Sequence, residues 1–207
     1  PNILGAKLDI PLTIAIQNEC DLEIIDMLVK AGAFLDEVDR NDQTALGYEV
    51  DSMPAEYVSL LLDAGANPNV LHGEDCRPLL VLAAGYEEPE MFELLMAQKN
   101  IDINMQGKKG NTALIMASWE GYEDRVCALL KAGADPDIVP DDDLTAMASA
   151  IENGHVGVAK VLMEAGVLLG GKINDGPILH YLIESKKHHD LFFVLVESEK
   201  LHLEEKN

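Results

Sequence analysis

The chain has 207 residues, 48% of them hydrophobic and 25% charged, the balance of a soluble globular protein with one sizeable core. Thirty-seven acidic residues oppose 15 basic ones, and the resulting net charge of −22 repels both nucleic-acid phosphates and anionic membrane surfaces. Aromatic residues, at 5%, are too sparse for an all-β fold, and no apolar run approaches the ~20 residues of a membrane helix. No basic-then-apolar stretch reads as a secretory signal. Cys20, Cys76 and Cys127 are odd in number and far apart, which speaks against a disulfide framework and for small buried residues in a reducing compartment. A cytoplasmic or nuclear location is therefore expected. The acidity itself reads first as solubility, and more sharply as attraction to a basic partner.

Taken in chain order, the sequence repeats itself. Gly5-Ala6 has the look of the end of a repeat. A first unit over about residues 10–42 opens with Ile10-Pro11-Leu12 and ends its second helix in Leu28-Val29-Lys30-Ala31-Gly32-Ala33. There Ile24, Ile25 and Leu28 make one apolar stripe, with Asp21, Glu23, Asp26 and Lys30 turned outward. A second unit, 43–75, runs from Thr44-Ala45-Leu46 to Leu61-Leu62-Asp63-Ala64-Gly65-Ala66. The third, 76–110, begins with Arg77-Pro78-Leu79 and continues through Leu94-Leu95-Met96-Ala97-Gln98-Lys99-Asn100, without the glycine and about two residues longer. The fourth, 111–143, carries Thr112-Ala113-Leu114 and Leu129-Leu130-Lys131-Ala132-Gly133-Ala134, with Val126, Leu129 and Leu130 inward and Asp124, Arg125 and Lys131 outward. The fifth, 144–175, has Thr145-Ala146-Met147 and a worn Val161-Leu162-Met163-Glu164-Ala165-Gly166. The sixth, 176–198, starts at Pro177-Ile178-Leu179-His180 and closes as a cap, with Leu191, Phe192, Phe193, Val194 and Leu195 packing inward and a charged tail, Glu197 to Asn207, in water.

The spacing is 33 residues from Gly32 to Gly65 and from Gly133 to Gly166, and 68 from Gly65 to Gly133, which holds one stretched copy. Thr44, Thr112 and Thr145 stand where a first helix needs a cap. Pro54 and Pro89 stand where second helices begin. Gly32, Gly65 and Gly133 end second helices, where a positive φ is wanted. These two interlocking motifs resemble the ankyrin repeat, whose units read roughly G-x-T-P-L-H-x-A, then G-H, then L-L-x-x-G-A-D-x-N. The best match runs from Gly110-Asn111-Thr112-Ala113-Leu114 through Gly121 to Gly133-Ala134-Asp135, and the likeness covers about residues 10–198. It departs from the family where His follows Leu only at His180, and where the hairpin glycine is Asp42, Asp75 and Asp143. The resemblance implies an all-α solenoid of about six helix-turn-helix units joined by hairpin loops, in one domain spanning 1–207.

No catalytic motif is present: no phosphate-binding glycine loop, no G-x-S-x-G, no C-x-x-C. No cofactor or metal is expected, since His188-His189-Asp190 reads as a solvated turn and Asp141-Asp142-Asp143 as a hairpin tip. The resemblance places partner binding on hairpin tips and the ends of first helices, along one concave face. On this chain those positions include Asp51, Glu74, Tyr86, Lys108, Lys109, Trp119, Glu120, Asp141, Asp142 and Glu152. Trp119, the only tryptophan, stands where the repeat core has no use for a large ring, and Tyr86 stands at the comparable place one unit earlier. Asn69 and Asn104 fall where hairpin asparagines of the family can be hydroxylated, and are read here as turn formers. The expected function is that of a monomeric interaction module, neither enzyme nor nucleic-acid or membrane binder, which holds a basic segment of another protein. The alternatives are a regulatory or substrate-recruiting arm of a larger enzyme, and a microbial effector aimed at host proteins.

Overall fold

The computed structural model describes residues 10–48, 54–73, 75–167, 172–173, 176–184 and 193. The chain falls into two compact units, Pro1–Lys108 and Lys109–Asn207. In the first, α1 (Pro11–Gln17) pairs with α2 (Leu22–Lys30), followed by α3 (Ala55–Asp63). The two-residue strands β1 (Leu71–His72) and β2 (Arg77–Pro78) pair antiparallel, Leu71 opposite Pro78, and lead into α4 (Leu79–Gly85) and α5 (Glu90–Met96). Helix α3 packs on α2 and on α5. In the second unit, α6 (Ala113–Glu120) pairs with α7 (Glu123–Lys131), and α8 (Ala146–Asn153) with α9 (Val156–Glu164). A ladder of β3 (Lys172–Ile173) and β4 (Gly176–Pro177) then precedes α10 (Ile178–Glu184). Helix α6 packs on α8, and α7 on α9, so like elements stack on like.

The two helices of a repeat differ in what surrounds them. Every residue from Leu79 to Ala84 in α4 and from Ala146 to Ile151 in α8 is buried. A helix that is apolar on all sides must be enclosed on all sides. The second helices bury one stripe only, as in Val58, Leu61 and Leu62 of α3. Each fully buried leucine, such as Leu61, Leu95, Leu129 and Leu162, contributes about 1.5–3 kcal/mol.

The Leu-x-x-x-Gly-Ala motif is a helix stop. In α7, Gly133 N donates to Leu130 O at 3.1 Å and Ala134 N to Leu129 O at 2.9 Å, with Gly133 at φ +92. This paired arrangement satisfies carbonyls the helix end would orphan, and it brings the buried leucine against the residue after the glycine. The same pair of bonds closes α2, α3 and α9. In α5 the glycine is Gln98, whose side-chain Nε2 instead donates to Leu94 O at 3.2 Å, and the connection runs on through Lys99 and Asn100. At the other end of the first helices, Thr112 and Thr145 accept from Ile115 N and Ala148 N, each at 3.3 Å, as caps. Thr44 accepts from Gly47 N at 3.1 Å, but heads a single turn among the described residues rather than a helix.

Several expectations change. Arg125 is buried, not turned outward, with its guanidinium 4.3 Å from the Tyr122 ring centre. Its place four residues before the buried Leu129 is the one filled by buried Met91 before Leu95 in α5 and by Val158 before Leu162 in α9, so its long stem does their packing. Ile24, at that same place in α2, is exposed, and Leu28 is only half-buried. The hairpin residue with positive φ in the third repeat is Cys76 (φ +47), not Asp75, alongside Asp42 (φ +55) and Asp143 (φ +61). Counting from it makes Pro78 the N-cap of α4, the counterpart of Thr112 rather than of Ala113. The cysteines are not buried either: Cys76 is exposed because it occupies that turn, and Cys20 and Cys127 are half-buried. Phe193 is exposed rather than packed inward. Gly5, Ala6, Asp51, Glu74, His188 to Phe192, Val194, Leu195 and Glu197 to Asn207 lie outside the described residues.

Candidate functional site

The first helices are sealed along most of their length, so their last residues and the hairpins are what they leave to solvent. In the second unit this places Trp119 at the penultimate position of α6, with Glu120 closing the helix. Trp119 is 40% exposed although five of the six residues before it in the helix are buried. Its backbone is held in place: the Trp119 carbonyl is bonded to His155 Nε2 at 2.9 Å, and the His155 ring lies against Gly121, the left-handed C-cap of α6. Glu152 holds the matching position in α8. It is half-buried, and its Oε2 is enclosed without a hydrogen-bond partner among the described residues.

Hairpin geometry brings further residues of the set together. Asp141 N donates to Lys109 O at 3.0 Å, which ties two neighbouring hairpins and sets Lys109 beside Asp141. Asp142 Oδ1 accepts from Leu144 N at 3.2 Å, a side-chain turn that stiffens the tip. Asp141, Asp142, Glu120 and Lys109 are all exposed. Among the described residues no three His, Cys, Asp or Glu side chains converge as metal ligands would.

The first unit holds Tyr86 and Lys108. Tyr86 is half-buried and is the C-cap of α4, one step past Gly85, which is the position that corresponds to Trp119 when helices are counted from their N-caps. In the first hairpin the buried Asp39 carboxylate accepts from Asn41 N at 2.8 Å and Gln43 N at 3.2 Å, and Gln17 Nε2 reaches it at 3.4 Å. Asn41 is thereby committed to shaping its own loop.

Sequence reasoning missed one feature. Two residues past the position of Asn69, three of the first four hairpins carry an exposed apolar side chain. Val38 is 44% exposed and Leu71 41%, both in the first unit, and Val139, in the second, is 56% exposed; the third hairpin has Gln106 at this place, two residues past Asn104. The 33 residues from Val38 to Leu71 and the 68 from Leu71 to Val139 match the spacing of Gly32, Gly65 and Gly133, and that periodicity was the available signal. Attention to charge and aromatic rings at the tips passed over it. Asn69, read as a turn former, also does more: its Nδ2 donates to Asn100 O at 2.8 Å and its Oδ1 accepts from Asp102 N at 2.7 Å, which joins one repeat to the next.

Residues 55–140 match the family model of ankyrin repeats in three copies. The human transient receptor potential cation channel subfamily A member 1 is 32% identical over 120 residues, which are 57% of this chain and 11% of that protein. An ankyrin repeat domain of Acinetobacter baumannii superposes with a TM-score of 0.80 at 22% identity, over 91% of this chain and 97% of the other. The ankyrin repeat domain of Bcl-3, a member of the IkappaB protein family, superposes with a TM-score of 0.75 at 27% identity, over 92% and 86%. The chain spans between 6% and 13% of the length of the first three curated relatives it matches.

Proposed function

Because this chain belongs to the ankyrin-repeat family, whose arrays generally mediate protein–protein interaction, we propose that it binds a basic segment of another protein across its hairpins and first-helix ends. The observation that carries the reading is the exposed apolar residue at one hairpin position in three of the first four hairpins, Val38 and Leu71 of the first unit and Val139 of the second, together with the exposed Trp119 ring at a first-helix end of the second unit. A monomer that only needed to be soluble gains nothing from an apolar side chain held outward at a fixed register. A partner that desolvates them does, and large rings such as Trp are the usual anchors of such contacts. Charge supplies direction. Glu120, Asp141 and Asp142 are exposed in the second unit, the unit that holds Val139 and Trp119, so a lysine or arginine of the partner fits there.

In this reading the fold is an interaction module, and the chemistry of any enzyme it serves lies elsewhere. The test is quantitative affinity capture with the wild-type chain, Trp119→Ala, and the pair Asp141→Lys with Asp142→Lys, followed by titration of the retained protein. Trp119→Ala is expected to weaken binding by at least ~2 kcal/mol. The charge reversal is expected chiefly to slow association and flatten its salt dependence. A partner that binds Trp119→Ala and the reversed pair as it binds the parent uses another surface.

A further inference from the structure

The second helices of the first unit carry a surface that the hairpin reading does not use. Along the outward side of α2, α3 and α5 runs an open groove of about 870 Å³. Its floor is apolar: Leu22 and Val29 of α2, Leu60 of α3 and Leu94 of α5 are each half-buried there. From α3 and its C-cap, Ala55, Ser59 and Ala64 also line it, and their small side chains leave the groove open. The rim is of one sign: Asp26, Glu56, Asp63, Glu90 and Glu93 surround the floor. Lys30 is the single cation among the lining residues, and its ammonium is already paired with Asp26.

An apolar trough edged by carboxylates on helices is complementary to one kind of occupant. We propose that this groove docks a lysine- or arginine-rich amphipathic helix of a partner protein, its apolar stripe on Leu22, Val29, Leu60 and Leu94 and its flanking cations against the acidic rim. The dimensions agree. A helix of about 14 residues is about 21 Å long, enough to cross three helices packed about 8–10 Å apart. Recognition of this form lays apolar residues spaced three and four apart into a groove and uses rim charge for orientation and rate. The surface is separate from the hairpin tips and first-helix ends, so one chain has room for two segments of a partner or for two partners.

The probe is a synthetic helical peptide of about 14 leucine and lysine residues patterned with period 3.6, with a leucine–glutamate counterpart as its control. Each is labelled and titrated by fluorescence anisotropy against the full chain at physiological ionic strength. The basic peptide is expected to bind and the acidic one not. Asp63→Lys with Glu93→Lys should weaken the basic peptide about tenfold or more. Ser59→Trp fills the trough from a half-exposed position without opening the core, and should weaken it about as much, as should Leu60→Asp. The same charge change placed on second helices of the other unit, Asp124→Lys with Glu164→Lys, should change binding by no more than about twofold, as should Trp119→Ala. Melting curves show that each variant is folded. If the distant reversal weakens the peptide as much as the rim reversal, net charge alone attracts it and the groove is no site. If Ser59→Trp and Leu60→Asp leave binding intact, the apolar floor is not in contact and the proposal fails. Loss on Trp119→Ala with the groove variants unaffected would move the peptide to the hairpin face, which sinks this proposal and leaves the other standing.

Discussion

The junction of α6 with α9 allows a stability prediction whose parts separate. Gly121 and Gly133 both have left-handed backbone, at φ +84 and +92. A Cβ at Gly133 meets nothing within 4 Å, whereas one at Gly121 would overlap His155 Nδ1. Gly133→Ala therefore introduces backbone strain alone, about 1–2 kcal/mol. Gly121→Ala adds displacement of the imidazole, about 0.5–1.5 kcal/mol of side-chain strain. It also adds loss of the bond between His155 and the Trp119 carbonyl, about 1 kcal/mol. The two variants should thus differ by about 2 kcal/mol, with Gly121→Ala at about 3–4 kcal/mol below the parent. Urea unfolding followed by the fluorescence of the sole tryptophan reads this directly, since Trp119 lies two residues from the substitution. His155→Ala should cost less in the Gly121→Ala background than in the parent, because the bond and the clash are both already resolved. Equal midpoints for Gly121→Ala and Gly133→Ala would refute the claim that the ring abuts the glycine.

Further outcomes follow at three residues already placed. Leu129→Ala, fully buried and part of the α7 stop, should cost ~2–5 kcal/mol in the same unfolding experiment. Asn69→Ala removes both bonds to the next repeat and should cost about 1–2 kcal/mol, with faster hydrogen exchange at the Asp102 amide. Asn69→Asp keeps the acceptor but sets a carboxylate oxygen against the Asn100 carbonyl, and should be no better than alanine in thermal melts. Val139→Asp, at an exposed hairpin position, should leave melting unchanged and lower affinity for a partner that binds the hairpin face, measured by titration.

Local backbone chemistry was the legible part of this fold. The glycines after Leu28, Leu61, Leu129 and Leu162 had to be helix stops because few other residues accept the required φ, and the threonine caps followed from their hydroxyls. Where a motif was ambiguous the register slipped: Arg77-Pro78-Leu79 imitates the threonine motif, but proline took the cap and moved the left-handed turn to Cys76. Burial of Arg125 was hidden because charge predicts exposure only when the stem has no packing to do. On the candidate surface, the exposure of Trp119 agreed with the reading of a ring the core does not need. The apolar residues before the turns were not recognised, because Val38, Leu71 and Val139 each look like ordinary strand residues until several repeats are superposed.

The clasp that Asn69 makes on Asn100 and Asp102 bears on how such arrays change length over evolution. The connection it grips is the stretched one, where Gln98 replaces the glycine and about two residues have been added. With one amide holding the chain at both Asn100 and Asp102, the following hairpin is re-entered from a fixed point whatever the chain does just upstream. Lys99, exposed and immediately ahead of the gripped segment, is then the place where a further insertion, an epitope or a fluorophore is accommodated without shifting the repeat register.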